Sequence, residues 1–130
     1  MKRIVATVFC VFTFAGAGQG APVDECALVS ESEVEVGNCL VQVGRNMEIL
    51  IDESLARALK TATRLDEDSE RPMAVEALKA AQAAWQAYRD AQCEYVGATY
   101  GGGSGTGNAI LSCRVELDRA RLAELERYGY

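Results

Sequence analysis

The sequence predicts an all-α domain, a small disulfide-tied bundle of about three helices with a glycine-rich loop between the second and third. Three observations carry this. Apolar residues recur at helical spacing over three long stretches, while period-two alternation is confined to Glu33-Val34-Glu35-Val36, too short to make a sheet. Four cysteines remain once an export leader is set aside. At 130 residues the chain has room for one domain with a modest core.

The leader is read from three features in a row. Met1-Lys2-Arg3 is a basic start, Ile4 to Ala15 is an almost unbroken apolar run, and Ala15-Gly16-Ala17 supplies small residues for cleavage after Ala17. The run is shorter than the roughly 20 residues a membrane-spanning helix needs. Neither Cys10 nor Cys26 ends a small-residue box of the kind that accepts a lipid anchor. The expected organisation is therefore a signal peptide at 1–17, an N-terminal segment at 18–38 and a helical domain at 39–130. The mature protein is exported, to the periplasm or the medium, with no membrane span. Lys2 and Arg3 leave with the leader, so the net charge of −6 becomes −8.

Cys10 leaves too. Cys26, Cys39, Cys93 and Cys113 then form an even set in an oxidising compartment, which reads as two disulfides. Three pairings are open; Cys26–Cys39 with Cys93–Cys113 is favoured because each closes a short local loop. A four-thiolate zinc site is disfavoured, since no C-x2-C pair is present.

The first helix is expected from Cys39 to about Leu65, with Val43, Met47, Leu50, Ile51, Leu55, Ala58, Leu59 and Ala62 on its apolar face and Asn38 as its cap. The charged run Asp66 to Arg71 breaks it. Pro72 suits the first turn of the second helix, which runs to Tyr95 with Ser69 or Glu70 capping it. Its inner face is read as Val75, Leu78, Ala81, Trp85, Tyr88 and Cys93, with Ala80, Ala83, Ala84 and Ala87 letting another helix approach closely. The third helix is expected from Asn108, as cap, to Tyr128, with Ile110, Cys113, Leu117, Ala120, Arg121, Leu122 and Leu125 inside.

Between the last two helices, Gly101 to Gly107 holds five glycines in seven residues. Glycine permits positive φ and close approach to another surface. The loop reads either as a linker that lets two helices reverse or as a contact surface for a partner. A phosphate loop would need a preceding strand and a Gly-Lys-Ser/Thr ending, and both are missing.

Composition excludes several chemistries. With no histidine there is no Ser-His-Asp or Cys-His pair and no imidazole metal ligand. The acidic balance argues against nucleic acid as a partner. No cofactor or metal site is expected. An enzyme using two of Asp90, Glu94, Glu116 and Asp118 is disfavoured, because carboxylates on solvated helices have no apolar pocket to raise one pKa.

The run Ala81-Gln82-Ala83-Ala84-Trp85-Gln86-Ala87-Tyr88-Arg89-Asp90-Ala91-Gln92-Cys93 resembles the A-Q-x-x-W-x-x-[FY]-R-D-x-x-C signature of the LprI-type lysozyme inhibitor family. The resemblance continues through the glycine loop to Cys113, Leu117, Arg121 and Leu125, covering residues 72–126 well and Cys26 to Leu65 loosely. Two positions depart from it: Asp118, where many relatives have Thr, and Leu55, near which many carry an aromatic. The resemblance implies a protein that binds and blocks a lysozyme.

The residues carry their own readings beside it. Trp85 fills the gap that alanines leave. Arg89 and Asp90 read as a helix-linking salt bridge or cap, and Gln82, seven residues before Arg89, shares its face. Arg119 and Arg121 are placed to face Asp90 or Glu116. For inhibition, the loop would enter the sugar groove of a muramidase, where two carboxyl groups flank the scissile bond. Tyr100, Ser104, Thr106 and Asn108 would supply polar groups, and Gly103 and Gly105 would permit entry. The alternative is a non-enzymatic envelope protein that binds another protein or a cell-wall component.

Overall fold

A computed structural model describes residues 20–128; the expected leader lies outside the described residues. The chain forms a short α1 (Pro22–Ala27), then α2 (Glu33–Glu67), α3 (Ala74–Thr99) and α4 (Thr106–Tyr128), with no strand among the described residues. The three long helices run up, down and up, so the starts of α2 and α4 share one end of the bundle. Asn108 near the start of α4 donates from Nδ2 to the Glu33 carbonyl at 3.1 Å and to Glu33 Oε2 at 2.9 Å.

Helix α2 starts earlier than expected. Ser32 is its cap, accepting from the Glu35 N–H at 3.3 Å, while Glu35 Oε2 reaches back to the Glu31 N–H at 2.6 Å. This is close to a capping box, whose S-x-x-E spacing is legible in Ser32-Glu33-Val34-Glu35. The four residues that alternate like a strand are therefore the first turn of a helix, and Asn38 is an exposed position inside it. The buried positions Val36, Leu40, Met47, Ile51, Ser54, Ala58 and Ala62 fall three, four or seven residues apart, which puts them on one face of the helix. Leu50, expected inside, is exposed.

Helix α3 is capped from across the interhelix loop. Asp66 Oδ1 accepts from the Ala74 N–H at 2.7 Å and Oδ2 from the Val75 N–H at 3.0 Å, so neither Ser69 nor Glu70 caps it. Pro72 precedes the helix rather than opening it. Helix α4 begins at Thr106, which places Asn108 inside the helix instead of at its cap.

Both disulfides form in the favoured pairing: Cys26–Cys39 joins α1 to α2 with a Cα–Cα distance of 5.8 Å, and Cys93–Cys113 joins α3 to α4 at 5.5 Å. Each of these four sulfurs is bonded to another, so none of the four is a free thiolate. Helix α1 is held to α4 as well. The Val23 N–H donates to Ser112 Oγ at 3.1 Å, and Arg119 grips Glu25 with two hydrogen bonds at 3.0 and 2.6 Å.

The core has two apolar clusters with a polar layer between them. Cys26, Val36 and Leu40 form one, joined by Leu111; Ile51, Ala58 and Leu125 form the other, joined by Leu78, Trp85 and Leu122. On α4 the residues between Leu111 and Leu122 that turn inward include Asp118 and Arg121. Ile110, Leu117 and Leu122, expected fully inside, are half-buried, and Ala120 is exposed.

Candidate partner-binding site

The sequence motif on α3 builds this polar layer. The buried stripe of α3 is Gln82, Cys93 and Gly97, with Leu78, Trp85 and Arg89 half-buried. The expected positions Leu78, Trp85 and Cys93 lie on this stripe, whereas Ala81 and Tyr88 give way to their neighbours Gln82 and Arg89; Tyr88 and Ala80, Ala81, Ala83, Ala84 and Ala87 are exposed. Close approach of α3 to α4 occurs at Gly97 instead, where an added Cβ would lie 2.6 Å from Ile110 Cγ1 and Cδ1.

Arg89 Nη1 donates to Asp118 Oδ1 at 2.9 Å, and Arg121 Nε donates to Gln82 Oε1 at 3.0 Å. Trp85 carries both guanidinium groups against its ring, Arg89 at 5.2 Å and Arg121 at 5.8 Å from the centroid. Asp90 is exposed, with its carboxylate 3.6 Å from Arg89 Nε. The expected partners of the α4 arginines are thus corrected: Arg119 pairs with Glu25, and Arg121 Nη1 donates to Glu124 at 3.2 Å.

Asp118 is 2% exposed. Burial pushes its carboxyl above the ordinary carboxylate range, the Arg89 hydrogen bond and charge oppose this, and the negative charge of Glu48 adds to it. The expectation that no carboxylate here has a perturbing environment is therefore corrected. The perturbed carboxyl is held in an ion pair with Arg89, on the wall of a groove of about 230 Å³ that Glu48 and Arg114 also line. Glu94 is exposed, 3.7 Å from Arg114, and Glu116 is exposed as well.

The glycine run is a tight turn. Helix α3 continues to Thr99 and α4 starts at Thr106, leaving Tyr100 to Gly105 to reverse the chain. Gly101 (φ +64°) and Gly102 (φ +78°) take the left-handed conformation that a residue with a Cβ resists. The Gly103 N–H donates to the Tyr100 carbonyl at 3.3 Å and the Thr106 N–H to the Gly103 carbonyl at 3.1 Å. The backbone N–H groups of Gly102 and Ser104 have no backbone partner.

The six residues expected to contact a partner divide here. Tyr100, Gly103 and Ser104 are exposed on the turn, and Gly105 is half-buried against the Tyr100 ring. Thr106 is half-buried within α4, its Oγ1 enclosed, and Asn108 is committed to Glu33.

Exposed apolar side chains lie on segments near this end, as Leu65, Met73 and Tyr128 do near the other. Leu28 and Val29, just after α1, are 87% and 79% exposed, Val34 in the first turn of α2 is exposed, and Tyr95 and Tyr100 are 66% and 56% exposed. Beside the turn, a groove of about 280 Å³ runs between α1, α3 and α4, with Tyr88 and Tyr100 on its wall and Glu116 across from them. Sequence reading missed Tyr88, having placed it inside; the signal was its one-residue offset from the stripe that holds Gln82, Arg89 and Cys93.

Compared with known proteins, the chain matches the family model described as Lysozyme inhibitor LprI over residues 25–125. It is also 48% identical over 61 residues to an uncharacterized protein of Rhizobium meliloti (strain 1021), a stretch covering 47% of this chain and 44% of that relative. The chain thus spans less than half the length of this curated relative. No solved structure matches it.

Proposed function

The chain belongs to the LprI lysozyme inhibitor family, and on that membership we propose that it is an exported, non-enzymatic protein that binds and blocks a lysozyme through the glycine-turn end of the bundle. The observation that carries the choice of surface is the exposed glycine turn, with left-handed Gly101 and Gly102 and exposed Tyr100 beside the groove that Tyr88 and Glu116 line. Tyrosine is among the residues that carry most of the binding energy in protein interfaces, and the turn beside Tyr100 has no bulky side chain to hinder approach. The free N–H groups of Gly102 and Ser104 and the Ser104 hydroxyl are donors suited to carboxylates in a muramidase groove. The net charge of −6, or −8 without the leader, would steer the protein towards a basic enzyme and raise the association rate more than the final affinity.

The test is titration of the purified, oxidised protein into c-type and g-type lysozymes, following lysis of cell-wall suspensions. Stoichiometric inhibition of one type is expected. Ser104→Tyr combined with Gly105→Trp should weaken that inhibition at least tenfold with helix content by circular dichroism unchanged; full inhibition by this variant would remove the turn from the interface. No inhibition of either enzyme by correctly bonded protein would favour the envelope-protein reading.

A further inference from the structure

At the opposite end of the bundle, roughly 30 Å along α3 from the glycine turn by helical rise, a cavity of about 410 Å³ opens between the end of α2, the start of α3 and the end of α4. Its walls are Ala58, Ala62 and Leu65 from α2, Ala74, Leu78 and Ala81 from α3, and Leu125 from α4. Alanines set opposite alanines leave a gap that no side chain fills, and Leu78 and Leu125 line it. The volume falls in the range of small-molecule sites, which pair mostly apolar walls with a few placed polar groups.

Here the placed group is Arg121, which also lines the cavity. It is 9% exposed; Nε is taken by Gln82 and Nη1 by Glu124, but Nη2 is buried with no hydrogen-bond partner. A buried, unpaired guanidinium N–H is costly, and a carboxylate is the acceptor whose geometry suits it. Two arginines stand at the mouth, while the Asp66 carboxylate nearby is engaged by the N–H groups of Ala74 and Val75. Arg127 lies on the rim beside Tyr128, and Arg64 donates to Thr61 Oγ1 at 3.3 Å, Thr61 being another lining residue. Glu124 is the single acid lining the cavity, half exposed and joined to Arg121 by one 3.2 Å contact.

We propose that this cavity binds a monomeric alkyl carboxylate, with the chain among the alanines and leucines and the carboxylate on Arg121. Glu124 swings outward to release Nη1, and the ligand's carboxylate takes its place on that nitrogen. Arg127 and Arg64 set the preference for an anion. Neither the family membership nor the glycine-turn surface enters this argument.

The probes are decanoate and dodecanoate held below their micelle-forming concentrations. Binding is followed by calorimetry and by the fluorescence of Trp85, the chain's one tryptophan, whose ring lies against Arg121. Saturable one-to-one binding is expected, with dodecanoate tighter than decanoate on the order of tenfold for two added methylenes. Dodecyltrimethylammonium should bind at least tenfold more weakly. Glu124→Gln should tighten dodecanoate, and Arg127→Gln should weaken it a few-fold. Ala81→Trp places an indole at the cavity from an exposed helix position, so the fold tolerates it, and it should abolish binding with circular dichroism unchanged. Equal affinity for the cationic amphiphile, unchanged binding by Ala81→Trp, or uptake only from anionic vesicles would each overturn the proposal.

Discussion

At Asp118 a carboxyl group and at Arg89 a guanidinium have left water together. Burial disfavours the charge on each. For Asp118 it raises the pKa despite the pairing; for Arg89 it lowers the pKa, but the hydrogen bond and charge of Asp118, with Asp90 and Glu48 adding to them, leave the guanidinium raised on balance. A buried pair of this kind adds little net stability but is costly to break, because the survivor is stranded. Asp118→Ala should therefore lower unfolding free energy by about 3 kcal/mol in urea titrations at neutral pH, whereas Asp90→Ala, at an exposed position, should cost under about 0.5 kcal/mol. Equal losses at the two positions would mean that Arg89 is held by Trp85 stacking and not by its acid.

The helices are joined by contacts that reach from one element to the next. Asp66, near the end of α2, caps α3, and the hydrogen bonds from Val75 and Ala74 hold its carboxyl below the ordinary carboxylate range. A carboxyl depressed in the folded state contributes stability that is present above its unfolded pKa of about 3.9 and is lost as pH falls through the folded value. Asp66→Asn keeps one acceptor and loses the charge. Its melting temperature should lie below the parent's at pH 7, and the gap should close as pH drops below about 3.9. A gap that stays constant across that range would show that the cap works through geometry alone. Asp118 acts in the opposite sense: its raised pKa means that the unfolded chain ionises first, so its contribution declines as pH climbs from about 3.9 to the folded value. Acid unfolding is thus driven by Asp66 and by Glu25, whose carboxyl the Arg119 hydrogen bond depresses, and is resisted by Asp118.

Across the whole molecule, the two disulfides do different jobs. Cys93–Cys113 closes a 20-residue separation around the turn between α3 and α4, while Cys26–Cys39 pins a six-residue helix that two side chains of α4 also hold. By chain entropy each bridge is worth about 3 kcal/mol. Replacing Cys26 and Cys39 by Ser should raise amide exchange over α1 and the start of α2 with little change in α3. Replacing Cys93 and Cys113 by Ser should raise exchange around the turn and weaken the lysozyme inhibition proposed for it. Uniform loosening of all helices by either pair would show that the bundle unfolds as one unit with no local opening at its ends.

Helix class, disulfide pairing and the site of chain reversal were legible because each is local information: apolar period, the spacing of neighbouring cysteines, and a run of glycines. The S-x-x-E cap of α2 was equally local and was passed over in favour of Asn38. On α3, Leu78, Trp85 and Cys93 were legible as inward, and Gln82 and Arg89 as a shared polar face; that Ala81 and Tyr88 turn outward was not, because apolar periodicity assumes that polar groups face water. Gln82 and Arg89 point in because their partners, Arg121 and Asp118, lie 39 and 29 residues away and meet them only once α4 is packed. That arrangement exposes Tyr88 and the alanines, and Ala81 from that face lines the distal cavity. The sequence by itself determined the helices, their ties and their family. Tertiary packing decided which residues became interior and which surface, since a buried charge is tolerable only where a distant residue supplies its counter-charge.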